Sequence, residues 1–259
     1  MKQGILNKIY WQFSDIKIIT WRNLLKYKRV PQLLVFSTIQ PIIFVMLFTY
    51  VFGGEINIPG LDYIDYLLPG IMVQTVFFGA TQTGISLAED LSKGLISRFK
   101  TLPMSRAAVL TGRTISDIIR NTFVVLLVIG VGVLNGFSPT TNPVYFLSAI
   151  GLITSIGYAF TWIFATLGML VKDQETAQVA GFVIVFPMVF ASSAFARVES
   201  MPAPLRNFAE ISPATTTIDA MRKMLIYEQF TDNITKTLIW VLVLLSIFIP
   251  LSVYRYTKS

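Results

Sequence analysis

The sequence predicts an all-α integral membrane protein with six transmembrane helices. Of its 259 residues, 54% are hydrophobic and only 14% are charged, whereas an average soluble domain carries about 25% charged residues. The apolar residues are gathered into long windows, and the segments between them hold most of the charges. A bilayer core requires about 20 apolar residues in helical conformation, and six windows along the chain approach or exceed that length.

These six windows are the predicted spans, and the basic residues set their orientation. Lys and Arg are concentrated before the first window and between the second and third, while the loops GGEINIPGLDYID and FSPTTNP contain neither. Because cytoplasmic loops carry the excess of Lys and Arg, we expect a multi-pass protein of the plasma membrane with both termini in the cytoplasm. The windows run at 32–53, 66–88, 117–136, 144–170, 179–196 and 236–254.

The first 30 residues predict an amphipathic helix that lies in the membrane interface. Leu6, Ile9 and Phe13 recur at helical spacing among lysines and aromatic residues. A basic amphipathic helix with aromatic anchors is expected to lie on a bilayer rather than cross it. We expect Phe13, Trp21 and Arg22 to act as anchors, and the alternative is a solvated cytoplasmic tail.

The segment at 203–227 predicts two short extracellular helices between spans 5 and 6. Ser212 followed by Pro213 supplies an N-cap and a proline at the first helical position. From there Ile218, Met221 and Leu225 form an apolar stripe. We expect the two helices to pack at or dip into the outer membrane face, with Asp219, Arg222 and Lys223 opposite the stripe, and the alternative is an exposed surface loop.

The composition excludes several kinds of chemistry. The chain has no Cys and no His, so it has no thiol or imidazole groups for catalysis or zinc binding, and we predict neither a catalytic residue nor a metal site. It also lacks the GxxxxGK[ST] pattern of a P-loop. No Asp or Glu is predicted in the middle of a span, which argues against an ion-coupled carrier. The basic residues flank apolar segments instead of forming an aromatic-rich patch, so nucleic acid is not an expected partner.

Uncharged polar residues inside the spans predict a candidate translocation path. In the second window Thr75, Gln82 and Ser86 fall near one face of a helix. Such a face lines a path or bonds a neighbouring helix, and the sequence leaves both open. Walls of this kind suit an amphiphile better than a small ion. The candidate path residues are Gln40, Gln74, Thr75, Phe78, Gln82 and Ser86.

The stretch AEDLSKGLISRFKTLPMSR predicts a short amphipathic cytoplasmic helix at 89–102, between spans 2 and 3. Leu91, Leu95, Phe99 and Leu102 follow one another at spacings of four, four and three, which places them on one helical face. Pro103 ends the pattern. A helix of this kind either inserts its apolar face into a groove of a partner protein or lies on lipid.

This stretch and its continuation resemble the characteristic segment of ABC-2 type permeases, in particular the branch similar to daunorubicin-resistance efflux permeases. The family pattern has an acidic pair, a K/R-G element, an R-F position, an LP-S end and a G-R…D…R run. The outer segment ISPATTTIDAMRKML is similar to the family's NP-T…D-R region, with Ser212 in place of the usual Asn. The residues that match the first pattern are Glu89, Asp90, Lys93, Gly94, Arg98, Phe99, Leu102, Pro103, Ser105, Gly112, Arg113, Asp117 and Arg120.

The resemblance implies a type V ABC exporter fold and a half-size permease that works with a second permease copy, in a homodimer, and with two ABC ATP-binding subunits. The helix at 89–102 would be the coupling helix, and ATP and Mg would be bound by the partner subunits, with no cofactor in this chain. The implied function is export of a hydrophobic or amphiphilic compound, a drug-like molecule or a lipid. The implied partner contacts are Glu89, Asp90, Lys93, Leu95, Arg98, Phe99 and Lys100.

Three alternatives remain from the sequence. One is an ABC-2 permease for a lipid-linked glycan or polymer. Another is a self-contained channel or ion-coupled carrier, which would transport without a partner ATPase. A membrane-embedded enzyme is the least favoured, because the chain offers no convergent catalytic groups.

Overall fold

The computed structural model describes residues 2–29, 32–53, 60–94, 106–171 and 173–258, and these ranges are folded almost entirely as helices. The all-α prediction is therefore confirmed for the described part of the chain. Helix α2 ends in a π-helical turn at Phe48–Phe52. The helices are α1 (Lys2–Arg29), α2 (Gln32–Leu47), α3 (Tyr63–Ser92), α4 (Arg106–Leu134), α5 (Pro143–Leu170), α6 (Gln174–Phe190), α7 (Ala203–Ile211), α8 (Pro213–Tyr227) and α9 (Asp232–Lys258).

Four of these helices are long and apolar enough to cross a membrane. They are Tyr63–Ser92, Ala108–Leu134, Pro143–Leu170 and Asp232–Tyr256, within α3, α4, α5 and α9. Two further apolar helices, Ser37–Phe52 and Gln174–Phe190, are shorter. The protein is therefore a multi-pass membrane protein with at least four clear spans.

Helix α3 is at the centre of the bundle and is buried along most of its length. It packs closely on α5 because two glycines face each other: a Cβ atom at Gly168 would stand 2.2 Å from the Gly84 carbonyl oxygen. Nearby, the rings of Phe77 and Phe160 stack with their centroids 3.8 Å apart. The bundle has two ends that recur below. We call the end where α3 stops and α4 begins the basic end, and the end where α3 begins and α8 lies the opposite end.

Helix α1 lies against the first half of α4. The Thr20 hydroxyl donates to the Gly112 carbonyl at 3.0 Å, and a Cβ atom at Gly112 would stand 2.8 Å from that of Ile19. The side chains of Phe13 and Trp21 are 69% and 63% exposed. The amphipathic helix is thus continuous and presents aromatic rings outward, and its position at the membrane interface stays a prediction.

Helix α8 is more deeply enclosed than a surface helix, which corrects the predicted orientation of its polar side. Its N-terminus follows the sequence signal, since the Ser212 hydroxyl accepts from the Ala214 amide at 3.3 Å. The helix then packs on α3, α5 and α9. Lys223 is exposed as expected, but the Arg222 side chain is only 12% exposed. The expectation failed because carbonyl groups within the bundle accept the hydrogen bonds of this guanidinium.

The described part of the helix predicted at 89–102, directly after the second span, is continuous with α3. Residues 89–92 form the last turn of α3, and the amide of Lys93 still donates to the Glu89 carbonyl at 3.0 Å. Gly94 then adopts a left-handed conformation with φ +67°, a conformation that glycine adopts at helix C-termini without steric cost. Leu95, Arg98, Phe99 and Lys100 lie outside the described residues.

Candidate functional site

A cleft of about 1680 Å³ opens between α1, α2, α3, α4 and α6. It reaches from the middle of α3 to the basic end of the bundle, so its walls include both neutral and charged side chains. The volume is above the range of about 300–1,000 Å³ that is usual for small-molecule pockets. It is large enough for an extended ligand or for part of an interface.

The neutral part of the wall contains every candidate path residue named from the sequence. Gln74, Phe78, Gln82 and Ser86 follow one another at intervals of four along α3, so they share one helical face. Opposite this face, α2 contributes Gln40. The residues of this wall are Gln40, Gln74, Thr75, Phe78, Gln82 and Ser86.

The polar groups of this wall are only partly used by the fold. The Thr75 hydroxyl donates to the Ile71 carbonyl of its own helix at 2.7 Å. The buried Gln74 Oε1 has no hydrogen-bond partner among the described residues, and the Gln82 side chain is exposed to the cleft. The unpaired amide oxygen of Gln74 and the exposure of Gln82 are more compatible with a face that lines a path than with one that bonds a neighbouring helix.

A buried group of charged and hydroxyl side chains stands on the charged part of the wall. We call Tyr27, Thr83, Asp117 and Arg120 the basic-end network. Asp117 accepts from the Tyr27 hydroxyl at 2.9 Å and from the Thr83 hydroxyl at 2.6 Å. Arg120 donates to the Gly79 carbonyl at 2.7 Å and to the Tyr27 hydroxyl at 3.1 Å. These bonds join α1, α3 and α4 at one point.

The network holds the end of α1 against the bundle. Burial, followed by the nearby carboxylate of Asp117, raises the pKa of the Tyr27 hydroxyl well above its usual range. Tyr27 is therefore neutral and retains the proton that it donates. The direct distance between Arg120 and Asp117 is 3.9 Å, so the tyrosine hydroxyl is the bridge between the two charges.

Several predicted contact and anchor residues also meet at the cleft. Trp21 and Arg22 of α1 line it, as do Glu89 and Asp90 of α3. Asp90 forms an ion pair with Arg113, and Glu89 pairs with Lys93 at 2.5 Å. Phe13 is outside the lining. The structure therefore places part of the predicted partner surface and part of the candidate path on one cavity.

Sequence reasoning gave Asp117 and Arg120 no role beyond the family pattern. The sequence places Asp117 at the cytoplasmic end of a span, and α4 begins at Arg106, about three turns earlier, so Asp117 has helix on both sides. The available signal was the spacing of the two charges, three residues apart on one helix at the edge of the third apolar window. Charges in such a position are expected to face the bundle interior and to pair.

A second group, the opposite-end network, consists of Tyr66, Ser193, Asp219 and Arg222. The Arg222 guanidinium donates to the Tyr66 carbonyl at 2.9 Å, to the Ser193 carbonyl at 3.0 Å and to Asp219 at 2.9 Å. It also lies over the Tyr66 ring, 3.9 Å from the centroid. The Ser193 hydroxyl donates to Asp219 at 2.7 Å. This group ties α8 to the start of α3 and to the turn after α6.

Within the described ranges no cluster of acidic side chains could hold a metal ion.

Comparison with known proteins decides the family. The family model described as "ABC-2 type transporter" matches residues 14–226, which include every described residue that lines the cleft. The chain belongs to the ABC-2 type transporter family. The resemblance inferred from the residues at 89–121 and from the outer segment ISPATTTIDAMRKML is confirmed.

Individual relatives of this ABC-2 chain carry permease names. It is 30% identical over 205 residues to the daunorubicin resistance ABC transporter permease protein DrrB1 of Streptomyces coeruleorubidus, covering 79% of this chain and 72% of that protein. It is 27% identical over 239 residues to the putative transport permease ycf38 of Porphyra purpurea, covering 89% and 79%. It is 22% identical over 192 residues to the probable multidrug ABC transporter permease YbhR of Escherichia coli strain K12, covering 73% and 50%. The chain is accordingly a membrane permease of the ABC transporter type.

Proposed function

We propose that this chain is the membrane-spanning subunit of an ATP-driven exporter that moves a hydrophobic or amphiphilic compound, a drug-like molecule or a lipid, out of the cytoplasm or inner leaflet. Two copies of the chain form a homodimer and work with two ABC ATP-binding subunits. ATP and Mg bind to those subunits, and this chain holds no cofactor. The names of the relatives DrrB1 and YbhR support a role in drug efflux.

The cleft is the observation that carries this proposal. Its neutral wall of Gln, Thr and Phe side chains reaches into the middle of the bundle, and its charged rim lies at the basic end. An amphiphile needs both surfaces, since its polar group must stay hydrogen-bonded while its apolar part leaves water. The same cleft is lined by Glu89 and Asp90, which begin the predicted coupling segment at 89–102.

The proposed topology has six spans, with the shorter helices α2 and α6 completing the bundle, and both termini in the cytoplasm of a plasma membrane. The absence of cysteine makes this simple to test. Ser105→Cys is expected to react only with a membrane-permeant maleimide in intact cells. Ser138→Cys, in the loop between α4 and α5, is expected to react with an impermeant maleimide as well. The reverse pattern would contradict the orientation.

Attachment of an ATPase is tested by co-purification. The candidate ATP-binding protein is expressed with the full chain, and its recovery and ATP hydrolysis are measured. Phe99→Asp is expected to abolish recovery of the ATPase, because a charge on the apolar face would have to be buried in the partner. Phe99→Leu, which keeps the face apolar, is expected to retain it. Equal recovery with both variants would show that this segment is not the coupling helix.

The alternatives are separated by transport in proteoliposomes. The leading proposal expects transport only when the ATPase and ATP are both present. Transport by the purified chain alone would establish a channel or ion-coupled carrier instead. ATP-dependent movement of a lipid-linked glycan, without stimulation by small amphiphiles, would assign the chain to polymer export.

A further inference from the structure

We propose that the cleft selects an amphiphile with an anionic head group, which is held at the basic end of the bundle. This inference rests on the proposed export function and names the chemical class of its substrate. It concerns the charge of the cleft, which neither the family model nor the names of the relatives specify. The relevant chemistry is a phosphate, sulfonate or carboxylate attached to an apolar body.

The described lining residues of the cleft carry more positive than negative charge. Six basic and three acidic side chains line it, a net charge of +3. Four of the basic side chains, those of Lys17, Arg22, Lys26 and Arg29, come from α1. The last three recur at intervals of four and three, so they share one face of the helix. All four are exposed, which places a cationic rim along one side of the cleft.

The acidic side chains of the cleft offset this rim only in part, because each has a cationic partner of its own, although Glu89 also interacts electrostatically with Lys26. Asp90 pairs with Arg113, Glu89 pairs with Lys93, and Asp117 lies beside Arg120 in the basic-end network. A cationic ligand would have to displace one of these partners. An anionic ligand meets a rim of positive charge with no competing carboxylate on α1 among the cleft-lining residues.

The neutral part of the cleft supplies hydrogen bonds but no counter-ion for a cation. Its polar members are amides and hydroxyls, such as Gln40, Gln74 and Gln82. Amide groups can donate to an oxyanion as readily as they accept from other donors. Entry of an anionic head past the rim is therefore compatible with this wall.

A run of phenylalanine rings offers a place for the apolar body. Phe78 lines the cleft, and its ring lies 6.1 Å from that of Phe182. From there the rings of Phe182, Phe186 and Phe190 follow along α6 at centroid distances of 5.0 and 4.2 Å. These three side chains are 54%, 40% and 39% exposed. The apolar surface thus begins inside the cleft and continues away from the cationic rim.

The test measures binding to the full-length permease in nanodiscs of zwitterionic lipid, with empty nanodiscs as the background. The probes are monododecyl phosphate and dodecyltrimethylammonium, which share a chain and differ in charge. The phosphate is expected to bind at least about tenfold more tightly, as removal or reversal of one charge-assisted contact changes affinity by that order. Equal binding of the two probes would overturn the proposal.

Two lysines on the same helix give a matched pair of variants. Lys26 lines the cleft, whereas Lys28 is exposed outside it. Lys26→Gln is expected to weaken binding of monododecyl phosphate by about tenfold, and Lys28→Gln by less than about twofold, because general attraction to surface charge is spread over many groups. An equal loss in both variants would show only a charged surface and would overturn the proposal.

Two further arms identify the source of the ligand. Phosphatidylglycerol in the nanodisc is expected to compete with monododecyl phosphate if the natural occupant is a membrane lipid. Absence of competition would indicate another anionic amphiphile, and either result supports an anionic head group. Inorganic phosphate that competed as well as monododecyl phosphate would overturn the requirement for an apolar body. Co-purification of the ATPase with Lys26→Gln separates the two proposals, since a wrong substrate class leaves that complex intact.

Discussion

The two ends of the bundle each contain an Asp-x-x-Arg pair, and the pairs are used differently. In both, the arginine donates to a backbone carbonyl of α3, and a hydroxyl side chain donates to the aspartate. At the opposite end, Arg222 bonds Asp219 directly, and its Nε, Nη1 and Nη2 atoms all donate. At the basic end, Arg120 reaches Asp117 through the Tyr27 hydroxyl, and its buried Nε has no partner among the described residues.

This difference shows how one local pattern serves two purposes. The opposite-end network is complete within α3, α8 and the turn after α6, so it acts as a fixed anchor. The basic-end network depends on a side chain from α1, the helix that carries the cationic rim of the cleft. Movement of α1 would therefore remove a bond from both charges at once. Because an unpaired buried polar group is costly, we expect the basic-end network to rearrange more readily than the opposite-end network.

The largest expected effect breaks the anchor. Arg222→Met removes hydrogen bonds to two carbonyls and leaves Asp219 without its cation, which is expected to lower the free energy of unfolding by about 3–5 kcal/mol. The measurement is the apparent Tm of the purified protein in detergent, followed by size-exclusion chromatography. Lys223→Met, at the exposed neighbouring position, is the control and should change Tm little. Similar Tm values for the two variants would contradict the anchor.

A pair of glycines on α3 tests rigidity at each end. A Cβ atom at Gly70 would stand 2.6 Å from the backbone oxygen of Ala194, next to Ser193 of the opposite-end network. A Cβ atom at Gly79 would stand 2.3 Å from the side-chain oxygen of Asn121. Backbone cannot rotate away, whereas an amide side chain can, so Gly70→Ala is expected to cost about 1–3 kcal/mol and Gly79→Ala less. Thermal unfolding of both variants checks the order, and a larger loss for Gly79→Ala would reverse our assignment of the rigid end.

The smallest expected effect distinguishes the two tyrosines. Tyr27→Phe removes the bridging hydroxyl and is expected to lower stability by about 1 kcal/mol, with faster amide hydrogen exchange confined to α1. Tyr66 contributes its carbonyl and ring, and no hydrogen bond from its hydroxyl occurs among the described residues. Tyr66→Phe should therefore leave both stability and exchange unchanged. Faster exchange in α8 rather than α1 for Tyr27→Phe would show that the basic-end network does not hold α1.

Local signals in the sequence predicted much of the fold. The Ser212–Pro213 start of α8, the face that carries Thr75, Gln82 and Ser86, and the family pattern around Glu89 all depend on residues close in the chain. The helix predicted at 89–102 is continuous with α3 over residues 89–92. Its remainder beyond Gly94 lies outside the described residues, so this helix stays a prediction.

The sequence by itself determined that the chain is a helical membrane protein of the ABC-2 family, since hydropathy and short motifs depend on neighbouring residues. Only the tertiary structure decided which charges are buried and what they bond. Besides its bond to nearby Asp219, Arg222 donates to the carbonyl of Ser193, 29 residues away in the chain, and Asp117 accepts from Thr83, 34 residues away. Burial and pairing of a charge depend on the helices that surround it, and these contacts are not encoded in the spacing of one helix. The same reason explains why the cleft, with one wall from α1 and another from α3, could be described only from the folded chain.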